Sequence, residues 1–273
     1  MIDFHVHAGD FFRLRDDIQG LLTRRPLEEG EDITRLFTEP AELERYLRRH
    51  GVKRAVMLAE CGPGTNFSID SEMIAAKARG SDFFIPFGSI NPNFHDARKE
   101  LEKSLALGIR GFKFYPADHS FDPYTRDMWA VYGECERHGL PIIFHTGHTA
   151  QRDAEQKNIQ PTDFERIAGS FPGLTIVLAH AGKPLWYQDA RDLVLRYENL
   201  YVDTALVPLT ELTTVLGDLR DVRHKVVFGS DWPVAGSYSK LMSQLEQAHL
   251  PPDIASDILH GNADRILSRA GRA

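Results

Sequence analysis

A closed parallel (β/α)8 barrel is the fold class this sequence predicts, and three observations lead there. Eight apolar runs of strand length alternate along the chain with amphipathic runs of helix length. The strand candidates are apolar nearly throughout, as strands covered on both faces are. No charge block, Pro/Ser-rich linker or change of composition splits the 273 residues, so one barrel domain is expected over 1–273. A doubly wound open sheet is the competing architecture, but no glycine fingerprint follows the first strand.

In chain order the strands are read at Ile2–His7, Arg54–Glu60, Phe83–Ile90, Gly111–Tyr115, Pro141–His145, Thr175–His180, Leu200–Thr204 and Val226–Gly229. The stretch Asp10–Glu39 after the first strand is rich in Arg and Asp and carries only a weak helical pattern. It reads as a long first βα-loop over the active-site face of the barrel. Pro40–His50 is a helix that stops at Gly51, with Arg48 and Arg49 in its last turn, where the helix dipole favours cations. His95–Leu107 halts at Gly108 and Tyr124–His138 at Gly139, while Thr162–Ser170 and Leu185–Tyr197 keep the rhythm. Pro251–Arg269 is expected as a terminal helix closing the barrel.

Composition narrows the function classes. A formal net charge of −7 argues against a nucleic-acid binder, which needs a basic face. With 42% hydrophobic residues there is ample material for a core, yet no apolar run approaches the ~20 residues of a membrane span. The opening Met-Ile-Asp-Phe-His-Val-His lacks the basic and apolar regions of a secretory signal. Two cysteines make no disulfide framework. Cys135 reads as a small buried hydrophobe, and Cys61, ahead of Gly62-Pro63-Gly64, as an ordinary thiol near a rim. A cytoplasmic location follows by default, with a small molecule as the partner.

The costly polar residues fall at strand ends. His5 and His7 end the first strand, Lys113 lies in the fourth, His145 ends the fifth, His180 ends the sixth and Asp231 follows the eighth. On a barrel these ends converge at one mouth, where barrel enzymes keep their sites. Two residues apart on a strand, His5 and His7 share a face about 6.5–7 Å apart along the chain, and imidazoles leaning together can bind one cation. His145 and Asp231 supply a third and a fourth ligand. A nitrogen-rich set with one carboxylate suits zinc, or iron or manganese in a more open site. His180 is a second-metal ligand or a free acid/base group. Lys113 is a salt-bridge partner, a substrate contact or the carrier of a carbamate bridging two metals. His148, three residues after His145, is a substrate contact, a support for the site or a solvated histidine. His50, His95, His119, His138, His224, His249 and His260 are expected on the surface.

Five segments carry a resemblance: Asp3-Phe4-His5-Val6-His7, Gly111-Phe112-Lys113, Phe144-His145-Thr146-Gly147, Leu178-Ala179-His180-Ala181-Gly182 and Phe228-Gly229-Ser230-Asp231-Trp232-Pro233. In this order and spacing they resemble the amidohydrolase superfamily, and within it the branch that includes aminocarboxymuconate-semialdehyde decarboxylase. His260-Gly261-Asn262-Ala263 resembles that branch's final-helix motif, so the match runs from Ile2 to about Leu267. The resemblance implies one divalent metal, usually zinc or manganese, on His5, His7, His145 and Asp231. His180 would be the neighbouring acid/base group and Asp231 would double as proton acceptor. Binuclear members use a strand-four bridge with strand-five and strand-six histidines, and Lys113, His145 and His180 would serve such a second metal. Relatives suggest a homodimer.

Hydrolysis of an amide, lactone or ester by activated water is the leading expectation. Non-oxidative decarboxylation of an aromatic or unsaturated acid is the alternative, although the decarboxylases of this branch are longer than 273 residues. A barrel that binds metal or ligand without turnover is the third. Phe11, Phe12, Trp186, Tyr187 and Trp232 are candidates to line a site for a flat substrate. Arg13, with Arg15, Arg24 and Arg25, could meet a carboxylate.

Overall fold

The computed structural model describes residues 1–62, 66–149 and 156–270, so Pro63 and Gly64 of the segment after Cys61 lie outside it. All eight expected strands are present: β1 (Ile2–Val6), β2 (Arg54–Leu58), β3 (Phe84–Phe87), β4 (Phe112–Phe114), β5 (Ile142–Phe144), β6 (Ile176–Leu178), β7 (Leu200–Asp203) and β8 (Val226–Val227). Every sequential pair within β1–β3 and within β4–β8 is parallel. Single parallel bridges close the two seams. Gly88 pairs with Phe112, its amide donating to the Gly111 carbonyl at 2.9 Å, and Lys113 donates to Gly88 at 2.8 Å. Val6 pairs with Trp232, and the Phe4 and His7 amides each donate across that seam at 2.8 Å, to Phe228 and Trp232. The ring of backbone hydrogen bonds is that of the expected barrel.

The strands are shorter than the apolar runs suggested. Glu60, His145, His180 and Gly229 all lie just past the last strand residues, at the mouth.

Helices follow the strands on the outside. The segment read as a weakly patterned loop contains a 3-10 turn at Phe11–Arg13 and two short helices, α1 (Asp16–Thr23) and α2 (Ile33–Thr38). Asp10 and Asp32 accept from the amides of Phe12 and Thr34, and Ile18, Leu22, Leu36 and Phe37 are buried beneath. Helices this short repeat too few turns for a strong period. Then come α3 (Pro40–Arg49), α4 (Ser71–Ala78), α5 (Ala97–Ala106), α6 (Arg126–Arg137), α7 (Glu165–Ser170), α8 (Tyr187–Arg196), α9 (Leu212–Leu216), α10 (Leu219–Val222) and α11 (Tyr238–Gln247). Side-chain caps start several of them: Asp70 for α4, Asp96 for α5, Thr125 for α6 and Ser237 for α11. The expected single terminal helix is α12 (Pro252–Ser256), a π-helical turn at Asp257–Gly261, and α13 (Asn262–Arg269). Among the described residues no helix is long and apolar enough to cross a membrane.

Strand alternation divides the core in two. Ile2, Phe4, Val56, Leu58, Ile85, Phe87, Ile143, Val177 and Val227 fill the barrel interior, and Ala263, Ile266 and Leu267 of α13 plug it from below. Their alternates, among them Ala55, Met57, Phe112, Phe114, Phe144, Leu178 and Val202, face the helices. With Ile2 and Phe4 inward, a regular β1 would send His5 and His7 outward. It is not regular. Asp3 aligns with Ala55 but Val6 with Met57, so one extra residue is inserted between them. That bulge turns Val6 to the outer layer and both histidines to the mouth.

Candidate metal centre

Above the apolar layers the inward positions become polar. Glu60, Lys113 and His145 join His5, His7, His180 and Asp231 in lining one cavity of about 130 Å³, with Phe67, Tyr115 and Asp118 nearby. His5, His180 and Asp231 each offer a ligand atom within 4.8 Å of the other two, all three residues being buried. His5 Nε2 lies 3.5 Å and His7 Nε2 3.3 Å from Asp231 Oδ1, and His180 Nδ1 lies 4.0 Å from Asp231 Oδ2. The resemblance assigned His145 to the ligands and left His180 beside them. Here His180 is in the tight group, and His145 stands against it with ring centroids 4.8 Å apart. The His145 Nε2 and His7 Nδ1 atoms are buried without a hydrogen-bond partner among the described residues.

Backbone strain and close packing hold this group. His180 and Ala181 have φ of 62° and 47°, and Asp231 has φ of 60°, all in the left-handed region that non-glycine residues rarely occupy. Such strain persists only where its surroundings enforce it. The His180 amide donates to Asp203 Oδ1 at 2.7 Å, and the Asp231 amide to the His5 carbonyl at 2.9 Å. A Cβ on Gly229 would come within 2.9 Å of His5 Cβ, so glycine is what lets β8 pass that close to the site.

Asp203, which sequence reasoning missed, is the main support. Its Oδ2 lies 2.8 Å from His5 Nδ1, and its Oδ1 also accepts from the Ala205 amide at 3.0 Å. A carboxylate only accepts, so His5 carries its proton on Nδ1 and turns the Nε2 lone pair towards Asp231. In the same way the Ala205 carbonyl, 3.0 Å from His180 Nδ1, leaves the lone pair of His180 on Nε2. Asp3 was also missed. It accepts from the amides of His5 and Ser230 and from the Tyr238 hydroxyl, clamping the bulge to the β8 loop. Both residues belong to strand runs, Asp3 inside the first and Asp203 near the end of the seventh, and that position was the available signal.

The electrostatics follow from burial. Desolvation lowers His7 to about 4 and takes His145 and His180 well below the ordinary imidazole value, so these rings are neutral at pH 7. Burial opposes the charge of Asp231, but His5, His7 and His180 outweigh it and hold the carboxyl well below its usual range. Desolvation pushes Glu60 up to about 8 and Asp118 to about 6. Neutral imidazoles with free lone pairs, one ionised carboxylate and a carboxylate behind the first histidine form a donor set that fits a divalent transition metal.

Other expected residues fall elsewhere. His148 is exposed and lines the cavity. Phe12, 75% exposed, and the exposed Arg13 do not reach the lining; nor does Trp186. Trp232 is fully buried, packed against Tyr46 with centroids 6.0 Å apart. Arg15 pairs with Asp17 at 2.9 Å, and Arg24 and Arg25 are exposed. Two histidines expected on the surface are not there. His119 is buried with both ring nitrogens unpartnered among the described residues, and His50 is packed between Tyr46 and Tyr238.

The fold has counterparts among solved structures. An uncharacterised TIM-barrel protein of Bordetella bronchiseptica is 24% identical, covering 100% of this chain and 99% of its own, with a TM-score of 0.79. A "probable 2-pyrone-4,6-dicarboxylic acid hydrolase" of Acinetobacter baumannii is 14% identical over 98% of both chains, with a TM-score of 0.66. The 2,6-dihydroxybenzoate decarboxylase of Rhizobium has the same identity, coverage and TM-score. At these identities the likeness is one of fold. No curated protein sequence matches the chain. The amidohydrolase family model matches residues 2–269, nearly the whole sequence and every element of the mouth, and the chain belongs to that family.

Proposed function

We propose that this protein is a metal-dependent hydrolase acting on a carbonyl group of a small amide, lactone or ester. The observation that carries the reading is one ionised carboxylate, Asp231, set within 4.0 Å of three imidazoles at the mouth of the barrel. His5, His180 and Asp231 would hold a single divalent ion, zinc by the nitrogen-rich donor set, with His7 and His145 alongside. Such an ion supplies Lewis acidity and lowers the pKa of water.

The protein's own groups do the rest. Asp231 has two oxygens directed at different histidines, so one can take the proton of an attacking water and return it to the leaving group. His180, with its Nδ1 proton committed to the Ala205 carbonyl, keeps the Nε2 lone pair free for the ion. Asp203 keeps His5 in the right tautomer throughout.

The test is product analysis with zinc-loaded protein on a panel of lactones, esters, amides and hydroxybenzoates. Acid release in step with substrate loss is expected, and Asp231→Asn should abolish it. Release of CO2 with no hydrolysis would replace this reading by decarboxylation, the reaction named for the Rhizobium neighbour.

A further inference from the structure

One cation in the cavity has no use in the chemistry above. Lys113, inward on β4, is 0% exposed, and its Nζ makes no hydrogen bond among the described residues. The ammonium lies over the Tyr115 ring, 5.1 Å from its centroid. Glu60, Asp118, Asp203 and Asp231 are near enough to interact with its charge, yet none is within ion-pair contact. A buried ammonium surrounded by carboxyls stays charged, but three N–H donors without acceptors carry a standing cost. An acceptor delivered from the cavity removes it.

We propose that Lys113 anchors a single carboxylate of the substrate, and that the cavity takes small monocarboxylates in preference to dicarboxylates. This rests on the reading above only in taking the cavity as the substrate site. A second metal ion is a poor partner for an ammonium, and a carbamate on Lys113 would set a further anion among four carboxyls. A carboxylate fits both the charge and the donors. The limit to one follows from the lining. Asp118 borders the same space as Lys113, so a second carboxylate would meet an acidic side chain. Lys183, the other lysine of the lining, is half-buried, and its charge interacts with Asp231 and Asp203. At about 130 Å³ the cavity is also well below the ~300–1,000 Å³ common for ligand pockets, which favours compact molecules.

Calorimetric titration of the zinc-loaded protein with propionate, propionamide and succinate tests this without turnover. Propionate should bind, propionamide should not, and succinate should bind more weakly than propionate. Lys113→Met should weaken propionate by about 30-fold or more, with metal content unchanged. Equal binding of propionate by wild type and Lys113→Met overturns the proposal, as does loss of metal in that variant. Succinate binding as tightly as propionate overturns the preference. Should Lys113→Met fail to fold, Lys113→Gln and the three-ligand comparison on wild type carry the test. A protein that binds propionate through Lys113 but hydrolyses nothing would refute the proposed reaction and leave the anchor standing.

Discussion

Replacing Asp203 by Asn changes one atom and should disable the metal centre. The amide keeps an oxygen for the backbone donors of His180 and Ala205, which lie 2.7 and 3.0 Å from Oδ1, so the β7 end keeps its shape. Opposite His5 Nδ1, at 2.8 Å, an NH2 would replace the carboxylate oxygen, and donor would face donor. The ring escapes by moving its proton to Nε2, the nitrogen 3.5 Å from Asp231 Oδ1, and that proton occupies the lone pair a metal needs. Both partners are buried, and a buried hydrogen bond to a charged group is worth about 1.5–3 kcal/mol. With the tautomer change this predicts a loss of about 10- to 100-fold in zinc affinity, and melting of the metal-free protein should fall by a few degrees because the bond is present without metal. Competition against a chromophoric chelator measures the affinity. Zinc binding by Asp203→Asn equal to wild type would refute the argument that Asp203 sets the state of His5.

Three further outcomes follow from the same structure. Burial holds His119 down at about 3, so the folded ring is neutral while the unfolded one takes a proton below about pH 6.5. Stability is therefore lost as pH falls, by about 2 kcal/mol at pH 5 from this residue alone, and His119→Phe should recover most of that in urea midpoints compared at pH 7 and 5. Glu60 has the opposite sign: raised to about 8 in the fold, it binds a proton that the unfolded chain loses near pH 4.5. Stability should fall as pH rises between those values, and Glu60→Gln should flatten the slope; an unchanged slope would contradict the burial argument. Gly229→Ala should displace His5, costing about 1–3 kcal/mol in denaturation and weakening zinc binding together. Unchanged zinc affinity there would mean that the close approach of β8 is not what places His5.

Much of the architecture could be read from the sequence because burial on both faces leaves apolar runs, and a barrel needs one before each helix. Strand ends could not be placed, since Glu60, His145 and Gly229 continue those runs in sequence past the last strand residues. Short helices such as α1, α2 and α9 offered too little period. At the site, His5, His7, His180 and Asp231 stood out as polar residues at strand ends. Their facing direction did not, because the extra residue in β1 reverses inward and outward positions and has no sequence marker. Asp203 escaped notice because Val-Asp-Thr looks like any strand terminus; its importance lies in a contact with His5, 198 residues away. Trp232 misled for the converse reason. An aromatic beside Asp231 suggests a lining, yet the chain turns it into the packing against Tyr46.

The central claim is that His5, His180 and Asp231 are a metal site. Elemental analysis after zinc reconstitution and gel filtration tests it most directly, on wild type and on His5→Ala and Asp231→Asn with the fold checked by circular dichroism. The account predicts one equivalent of zinc per wild-type chain and a large loss in both folded variants. Wild type that retains no zinc, or variants that retain as much as wild type, would contradict it.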